Sequence, residues 1–553
     1  MKISNVFHCL SACFLLFFAF LPFFAFCQLS EGGVPLSFSR ALPSQDVQAV
    51  SIDPPSAASV DQIIREASLP YRFAVNIPVD YSILNSGIIT LKDGIIVWRL
   101  SLKTSGAKAI SLYFDRFRIP EGGRFFVYNP SRTRLLGAFT ARNNNSFGTF
   151  ATSIIPGDGI ILEYNAPSGL SLPDLNVSEL AYAFRGFPEA EGSSQQAFSE
   201  TCEVNVNCPE GANWQRQKRG VVKIQVKDST GSRLCSGSLI NNTRNDGTPY
   251  VLTANHCGSA ARPIDLSQWI FYFNYETSEC FPTNPNPSYE TLLGAAFKAH
   301  GNDYTIGSDF YLVKLTEQIP DSVHAYFNGW SRVETPGSPN GTGIHHPAGD
   351  YKKISTYTDS LVTGYYSGNP NPCYWKVVWA ATENGHGVTE GGSSGSPIFN
   401  SEGQIVGTLT GGDSDCSRLT GPDYYGKFSW HWDKNGSDST KVLKCWLDPD
   451  STGLTIMDGW ALGIPAAAEK GNISIFPNPA INETYILIQD KALSGEKLNF
   501  SVVDVLGNIR TRVSFHQSGN GKFRIDLQEL NSGLYFIIIS GKDFRQNLKL
   551  IKI

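Results

Sequence analysis

Ser394 stands in the stretch Glu390-Gly391-Gly392-Ser393-Ser394-Gly395-Ser396-Pro397, and upstream of it runs Thr253-Ala254-Asn255-His256-Cys257. A serine hydroxyl is a poor nucleophile at neutral pH, so attack on a carbonyl requires a base within hydrogen-bond reach and donors aimed at the oxyanion it creates. His256 is the expected base. Gly392 and Gly395 permit backbone conformations that bulkier residues disfavour, which lets the Gly392 and Ser394 amides converge on a tetrahedral oxyanion. A carboxylate must orient the other imidazole nitrogen. Asp309, at the entry of Phe310-Tyr311-Leu312-Val313-Lys314-Leu315, is the best candidate, because an aspartate leading into an apolar strand is buried and needs a partner there. Asp303 is its rival; His300 stands near both but lacks a cysteine-anchored strand. The bland alternative is a glycine- and serine-rich loop without catalysis, which the order His256, Asp309, Ser394 opposes.

A chain of 553 residues is too long for one core, so several domains are expected. The net charge of -5 is scattered rather than blocked, which suggests neither nucleic-acid binding nor a polybasic membrane contact. Residues 1–27 begin Met1-Lys2 and continue as a Leu/Phe/Ala series, the pattern of a secretory signal with cleavage after Cys27. A retained membrane anchor is the alternative. Eight cysteines remain after Cys27, all between Cys202 and Cys445. An even number in a secreted chain points to four disulfides. Zinc competes weakly, since no paired C-x-x-C or H-E-x-x-H occurs, and His345-His346 lacks spaced partners for a metal. No cofactor is expected.

Residues 28–196 lack cysteine and alternate short apolar strands with Gly, Pro and Asn turns: 88–91, 95–102, 109–114, 125–128 and 160–164. A β-sandwich-like unit of its own is expected, followed by a polar linker between Phe187 and Ser199. The cysteine-bearing region, 197–462, reads as short strands at 221–226, 236–240, 250–253, 270–275, 310–315 and 405–410, with little helical period. A second break, 463–471, leads into a small β-sandwich over 472–553. The fold class is all-β.

The ordered His256, Asp309 and Ser394, with Cys235-Ser236-Gly237-Ser238-Leu239-Ile240 and Gly392-Ser393-Ser394-Gly395-Ser396-Pro397, resemble the chymotrypsin-fold serine proteases. Within these the chain is most similar to the bacterial lysyl endopeptidases, through Cys202 and Cys208 ahead of Pro209-Glu210-Gly211, the His345-His346-Pro347 loop to Asp350, Thr410-Gly411-Gly412 before Cys416, Asp423 to Gly426, and Trp446-Leu447-Asp448-Pro449. The resemblance spans about 197–455. It implies two β-barrels with the active site between them, and pairs Cys202 with Cys416, Cys208 with Cys280, and Cys235 with Cys257. Cys373 and Cys445 are left for each other by subtraction.

The resemblance also implies a substrate class. Val388, six residues before the nucleophile, stands where trypsin-like enzymes place an aspartate, so another acid must read a basic side chain. Asp423, carried over from the lysyl endopeptidase pattern, is the expected group for contacting a lysine ammonium, with Thr410 and Gly411 as further substrate-binding residues; Asp413 and Asp415 are rivals. Thr410 replaces the histidine of the pattern, and arginine or mixed preference stays open. Ser393 replaces the acid that a trypsin-type activation ion pair needs, so activation differs. Cleavage in the 185–200 region, for instance at Arg185-Gly186, makes residues 28–196 a propeptide. In the tail, Asn472 to Pro479, Val505-Leu506-Gly507 and Leu530 to Tyr535 resemble the C-terminal sorting domain of type IX secretion, which implies outer-membrane export and release or surface attachment; a carbohydrate-binding appendage is the alternative. The expected function is a secreted, monomeric serine endopeptidase acting on proteins or peptides after Lys, with the type IX machinery as partner. The competing readings are a non-catalytic surface-binding protein on a protease fold and an endopeptidase of another preference.

Overall fold

The computed structural model describes residues 29–38, 47–65, 71–186, 199–282, 288–462, 473–488, 498–504, 510, 513–519, 521–540 and 545–553. The expected signal, the breaks at 187–198 and 463–471, and Val505-Leu506-Gly507 lie outside these residues. The chain is β-rich throughout, and the strands expected from alternation form. Two long strands lie outside the expected set: β1 (Tyr71–Ser82) and, after β2 (Ala109–Arg118), β3 (Asp174–Ala183). Strand β3 changes phase at a bulge between Val177 and Glu179, and β1 alternates apolar Tyr71, Phe73, Val75, Ile77, Val79 and Tyr81 with polar Arg72, Asn76, Asp80 and Ser82. Asn76 finds its partners in tertiary structure, where it donates to Glu179 at 3.0 Å and accepts from Ser232 at 2.8 Å.

The first sheet of the cysteine-bearing region contains β4 (Val221–Asp228), β5 (Gly231–Leu239), β6 (Tyr250–Ala254) and β7 (Phe310–Leu315). Its core gathers Val222, Ile224, Trp269, Phe271 and Val313. The second sheet contains β8 (Gly341–His345), β9 (Pro397–Asn400), β10 (Ile405–Gly412) and β11 (Asp423–Lys427), over Tyr357, Trp375, Trp379, Ile398 and Tyr425. A third cluster joins the two, with Leu252, Phe310 and Leu312 meeting Trp330, Ile354 and Phe428. These sheets correspond to the two expected barrels.

The N-terminal unit is not separate. Its β1 pairs antiparallel with β5, Ala74 opposite Ser232, Arg72 opposite Arg233 and Tyr71 opposite Leu234. The result is one sheet of twelve strands that runs through both parts. A common core follows: Phe114, Phe150 and Ile155 cluster with Leu234, Tyr272 and Tyr289. The sequence expectation of an independent sandwich fails because the alternation of β1 marks a half-buried strand but not the strand it pairs with.

The tail forms a four-stranded and a three-stranded sheet closed over Ile486, Val502, Ile525, Ile537 and Leu550, a small two-sheet module as expected.

Three disulfides join Cys202 to Cys416, Cys208 to Cys280 and Cys235 to Cys257. The Cys235–Cys257 bridge closes a 22-residue separation, which in the loop-entropy account stabilises by roughly 3 kcal/mol. The fourth pair is a correction. Cys373 and Cys445 are both free, the first buried beside the Gly307 carbonyl and the second exposed on the short helix Lys444–Leu447. Subtraction counts cysteines but not the faces they occupy. In a chain beginning at Leu29, thiol titration should find Cys445 reactive in the native state and Cys373 only after denaturation; two unreactive cysteines in the unfolded, unreduced chain would contradict this pairing.

Candidate active site

The site is set by strand register. Strands β6 and β7 pair with Ala254 opposite Phe310, so the residue after β6 and the residue before β7 meet. Asn255 N donates to the Asp309 carbonyl at 3.1 Å, and α1 (Asn255–Gly258) begins there. Asp309 takes φ +57°, a left-handed conformation that costs a non-glycine residue free energy. In return its carboxylate turns back onto the helix: Oδ1 accepts the His256 amide at 3.0 Å and Oδ2 meets His256 Nδ1 at 2.8 Å. Both side chains are buried. Asp303 is excluded from this role, because its Oδ1 is committed to Thr305 in an exposed turn. His300 Nδ1 contacts Asn255 rather than either acid.

With Nδ1 held by Asp309, the other nitrogen of His256 is buried and has no hydrogen-bond partner among the described residues. Ser394 is also buried, at 2% exposure, on the loop that precedes β9. Its carbonyl accepts Ser236 N at 2.8 Å, one residue from the Cys235–Cys257 bridge, and lies 3.9 Å from Cys257 Sγ. The disulfide thus ties the base's helix to the strand that holds the serine loop.

Gly392 takes φ +101° and Gly395 φ +80°. A β-carbon on Gly392 would press on the His346 carbonyl and the Ala348 and Gly349 amides, and one on Gly395 would run into Thr253 Oγ1. Glycine is required at both by backbone and by space. Among the described residues no acceptor takes the N–H of Gly392 or of Ser394. Two free amides beside a buried serine are what an oxyanion requires.

Ser393 is held by an uncharged chain of hydrogen bonds. The Ser355 hydroxyl donates to the Val388 carbonyl at 2.9 Å, so it can only accept from His345 Nε2 at 3.0 Å. His345 Nδ1 must then accept from the Ser393 hydroxyl at 2.8 Å, and Ser393 Oγ accepts the Glu390 amide at 3.3 Å. Burial, with a smaller push from Lys353, drives the His345 pKa down to about 3, so the imidazole is neutral. In the sequence His345 and His346 have no metal partners, and the structure gives His345 a fixed place between Ser393 and Ser355. His345 Nε2 also lies 3.9 Å from buried Glu203, whose pKa burial raises well above the usual carboxylate range. No cluster of three or more metal-ligating side chains occurs among the described residues.

A cavity of about 370 Å³ opens beside Ser394, walled by Thr389, Glu390, Gly391, Gly411, Gly412, Ser414 and Asp415. Asp423 lies behind this wall and is fully buried. Its Oδ2 accepts Trp379 Nε1 at 2.6 Å, Ser414 Oγ at 2.7 Å and Thr389 Oγ1 at 2.8 Å, while Oδ1 accepts Ser414 N at 3.3 Å and fills the space that a β-carbon on Gly412 would need. Burial raises its pKa despite those donors. Gly411 lines the cavity; Thr410 is buried on the strand beside it. Of the rival acids, Asp413 pairs with Arg418 and Asp415 is bound to Ser417 at the rim. Val388 is buried, and its carbonyl accepts from the Ser355 hydroxyl.

Residues 197–426 match the family model described as Lysyl endopeptidase, C-terminal domain, and residues 474–553 match that of the Secretion system C-terminal sorting domain. The chain is lysyl endopeptidase-like. A lysyl endopeptidase of Pseudomonas aeruginosa is 29% identical over 291 residues, 50% of this chain and 60% of that protein. This lysyl endopeptidase-like chain thus spans about three fifths of the length of that relative. A secreted RxLR effector protein of Plasmopara viticola is 26% identical over 325 residues, 54% of this chain and 73% of the other. Among solved structures, the protease Anisep from Arthrobacter nicotinovorans aligns at TM-score 0.28 and 16% identity, over 38% of this chain and 90% of that one. The sorting domain makes the lysyl endopeptidase-like chain a secreted or cell-surface protein.

Two measurements check this geometry. Gly395→Ala should cost roughly 1–3 kcal/mol of stability, since it adds left-handed strain and a clash with Thr253; an unchanged urea midpoint would contradict the packing. Burial, reinforced by the Glu200 charge, raises the Glu390 pKa to about 7. A carboxyl that is easier to protonate when folded adds stability that is complete below its unfolded pKa, about 4.5, and is lost as pH rises through about 7. Glu390→Gln should therefore flatten the decline of stability across that window, as read by urea midpoints at each pH.

Proposed function

We propose that the protein is a serine endopeptidase that cuts proteins or peptides after basic residues, preferably lysine. The observation that carries this reading is the Asp309–His256 contact at 2.8 Å, buried, with the far nitrogen of His256 left without a partner among the described residues and the next residue, Cys257, 3.9 Å by its Sγ from the Ser394 carbonyl. In the proposed sequence His256 removes the Ser394 proton as the hydroxyl attacks the scissile carbonyl, and Asp309 holds the tautomer and stabilises the imidazolium. The Gly392 and Ser394 amides receive the oxyanion. Collapse of the tetrahedral species passes the proton to the leaving amine and leaves an acyl group on Ser394, which water then removes.

A lysine side chain entering the 370 Å³ cavity is proposed to meet the negative charge of Asp423. The three donors on Oδ2 favour the charged carboxylate against its burial. In support, Oδ1 fills the space that a β-carbon on Gly412 would need, and Gly412 lines the cavity. The C-terminal module is proposed to engage the type IX secretion machinery, and residues 28–196 to act as a propeptide.

A mixed peptide library separates the parts of this reading. Ser394→Ala should abolish cleavage while the fold is kept; surviving activity would refute the mechanism. Asp309→Asn should lower kcat by about 10⁴-fold, the loss that a wrong imidazole tautomer produces. Asp423→Asn should weaken kcat/KM for lysine by roughly 30-fold or more, the range for removing one partner of a buried charge pair. Cuts distributed without regard to Lys or Arg in the unaltered protein would refute the Asp423 assignment alone.

A further inference from the structure

One edge of β5 is divided among three users. Ser238 and Leu239 pair with β6, Ser236 N binds the Ser394 carbonyl, and Ser232 to Leu234 pair with β1 of the N-terminal unit. The strand from the N-terminal unit therefore ends two residues from the backbone group that holds the nucleophile. The contact continues onto the serine loop. The Tyr71 ring lies so close to Gly391 that a β-carbon there would strike it. Arg185 fixes Tyr71 from the other side, with its guanidinium 4.5 Å over the ring and its Nε donating to the Arg72 carbonyl at 3.1 Å. Arg72 in turn donates to the Thr230 carbonyl at the turn before β5.

The cavity beside Ser394 is a different place. None of its walls comes from β1 or β5, and it stands open. A substrate side chain can enter it while the β5 edge is taken. An extended peptide lying across Ser394 must run past that edge, and an unpaired strand edge is where such a chain gains its main-chain hydrogen bonds.

The junction also has the character of an interior rather than of a docked surface. Beyond the shared aromatic core, Tyr113 meets Ser232 at 2.7 Å, Gln268 Nε2 donates to the Phe114 and Phe150 carbonyls at 2.9 and 3.0 Å, and buried Lys227 pairs with Glu179 at 2.8 Å. Interfaces that resemble a domain core cut in half are those of permanent complexes.

Resting on the endopeptidase reading above, we propose that the N-terminal unit is a strand-addition inhibitor: Tyr71 to Ala74 occupy the β5 edge on which the residues beyond the scissile bond would lie. Because the two parts share a sheet and a core, cutting the connecting segment leaves them together and the protein still closed to extended chains. Opening the site requires removal of β1 itself.

The test uses the full chain with the recognition sequence of an unrelated protease placed between residues 187 and 198. Four readouts are taken before and after that cut: elution volume, labelling of Ser394 by a small fluorophosphonate, hydrolysis of lysyl and arginyl p-nitroanilides, and cleavage of peptides extending at least three residues past the basic residue. The cut halves should co-elute. Both forms should label and hydrolyse the p-nitroanilides, yet leave the extended peptides nearly untouched. Tyr71→Ala should raise extended-peptide cleavage by about tenfold or more relative to the p-nitroanilides, equivalent to ~1.4 kcal/mol. Equal relative rates in the intact, cut and Tyr71→Ala forms would overturn the proposal, as would halves that separate on cutting. Digestion that destroys the N-terminal unit should release the same activity, which keeps the test decisive if Tyr71→Ala fails to fold. Absence of labelling and of p-nitroanilide hydrolysis in every form, including that one, would instead refute the endopeptidase reading and this proposal with it.

Discussion

The buried contact between Asp309 and His256 is the constraint on which the site depends. It exists because β6 and β7 pair in a register that brings residue 309 opposite residue 255, and because Asp309 accepts a left-handed backbone to aim its carboxylate. A one-residue slip would turn the whole face of β7 over, carrying Asp309 away and exchanging Phe310 and Leu312, which pack between the sheets, with Tyr311 and Val313, which pack in the first sheet's own core. The apolar cluster between the two sheets therefore does more than stabilise. It selects the register in which the acid and the imidazole meet.

From that pair outward the molecule is tied by links of different kinds. A disulfide joins the histidine's helix to β5, backbone hydrogen bonding joins β5 to the serine loop, and a neutral His345 joins that loop to the second sheet. No single link spans the site. The result distributes the ordering of Ser394 over both sheets, so the loop forms only when both have packed.

Much of this was legible in the residues. The order of His256, Asp309 and Ser394, the glycines at 392 and 395, and the alternation of most strands depend on local chemistry and spacing, and they survive into three dimensions. The junction with the N-terminal unit was not legible, because the alternation of β1 from Tyr71 to Tyr81 marks a half-buried strand without naming the strand it pairs with, and β3 changes phase at a bulge between Val177 and Glu179. The free Cys373 and Cys445 were hidden for a related reason: parity of a count says nothing about which faces two residues occupy. His345 looked like loop punctuation, since its hydrogen bonds to Ser393 and Ser355 join residues 48 and 10 positions away.

The neutral chain from Glu390 through Ser393 and His345 to Ser355 bears on how such a protein can be kept harmless. In a site whose serine loop waits for a newly liberated ammonium, the cut itself completes the machinery, and the end it makes must be the right residue. Here the loop is already fastened by hydroxyls, amides and an imidazole that titrates far below physiological pH. Cutting upstream delivers nothing that the loop lacks. The terminus that results is free to be ragged, and restraint of the proposed protease before export then falls to obstruction rather than to disassembly.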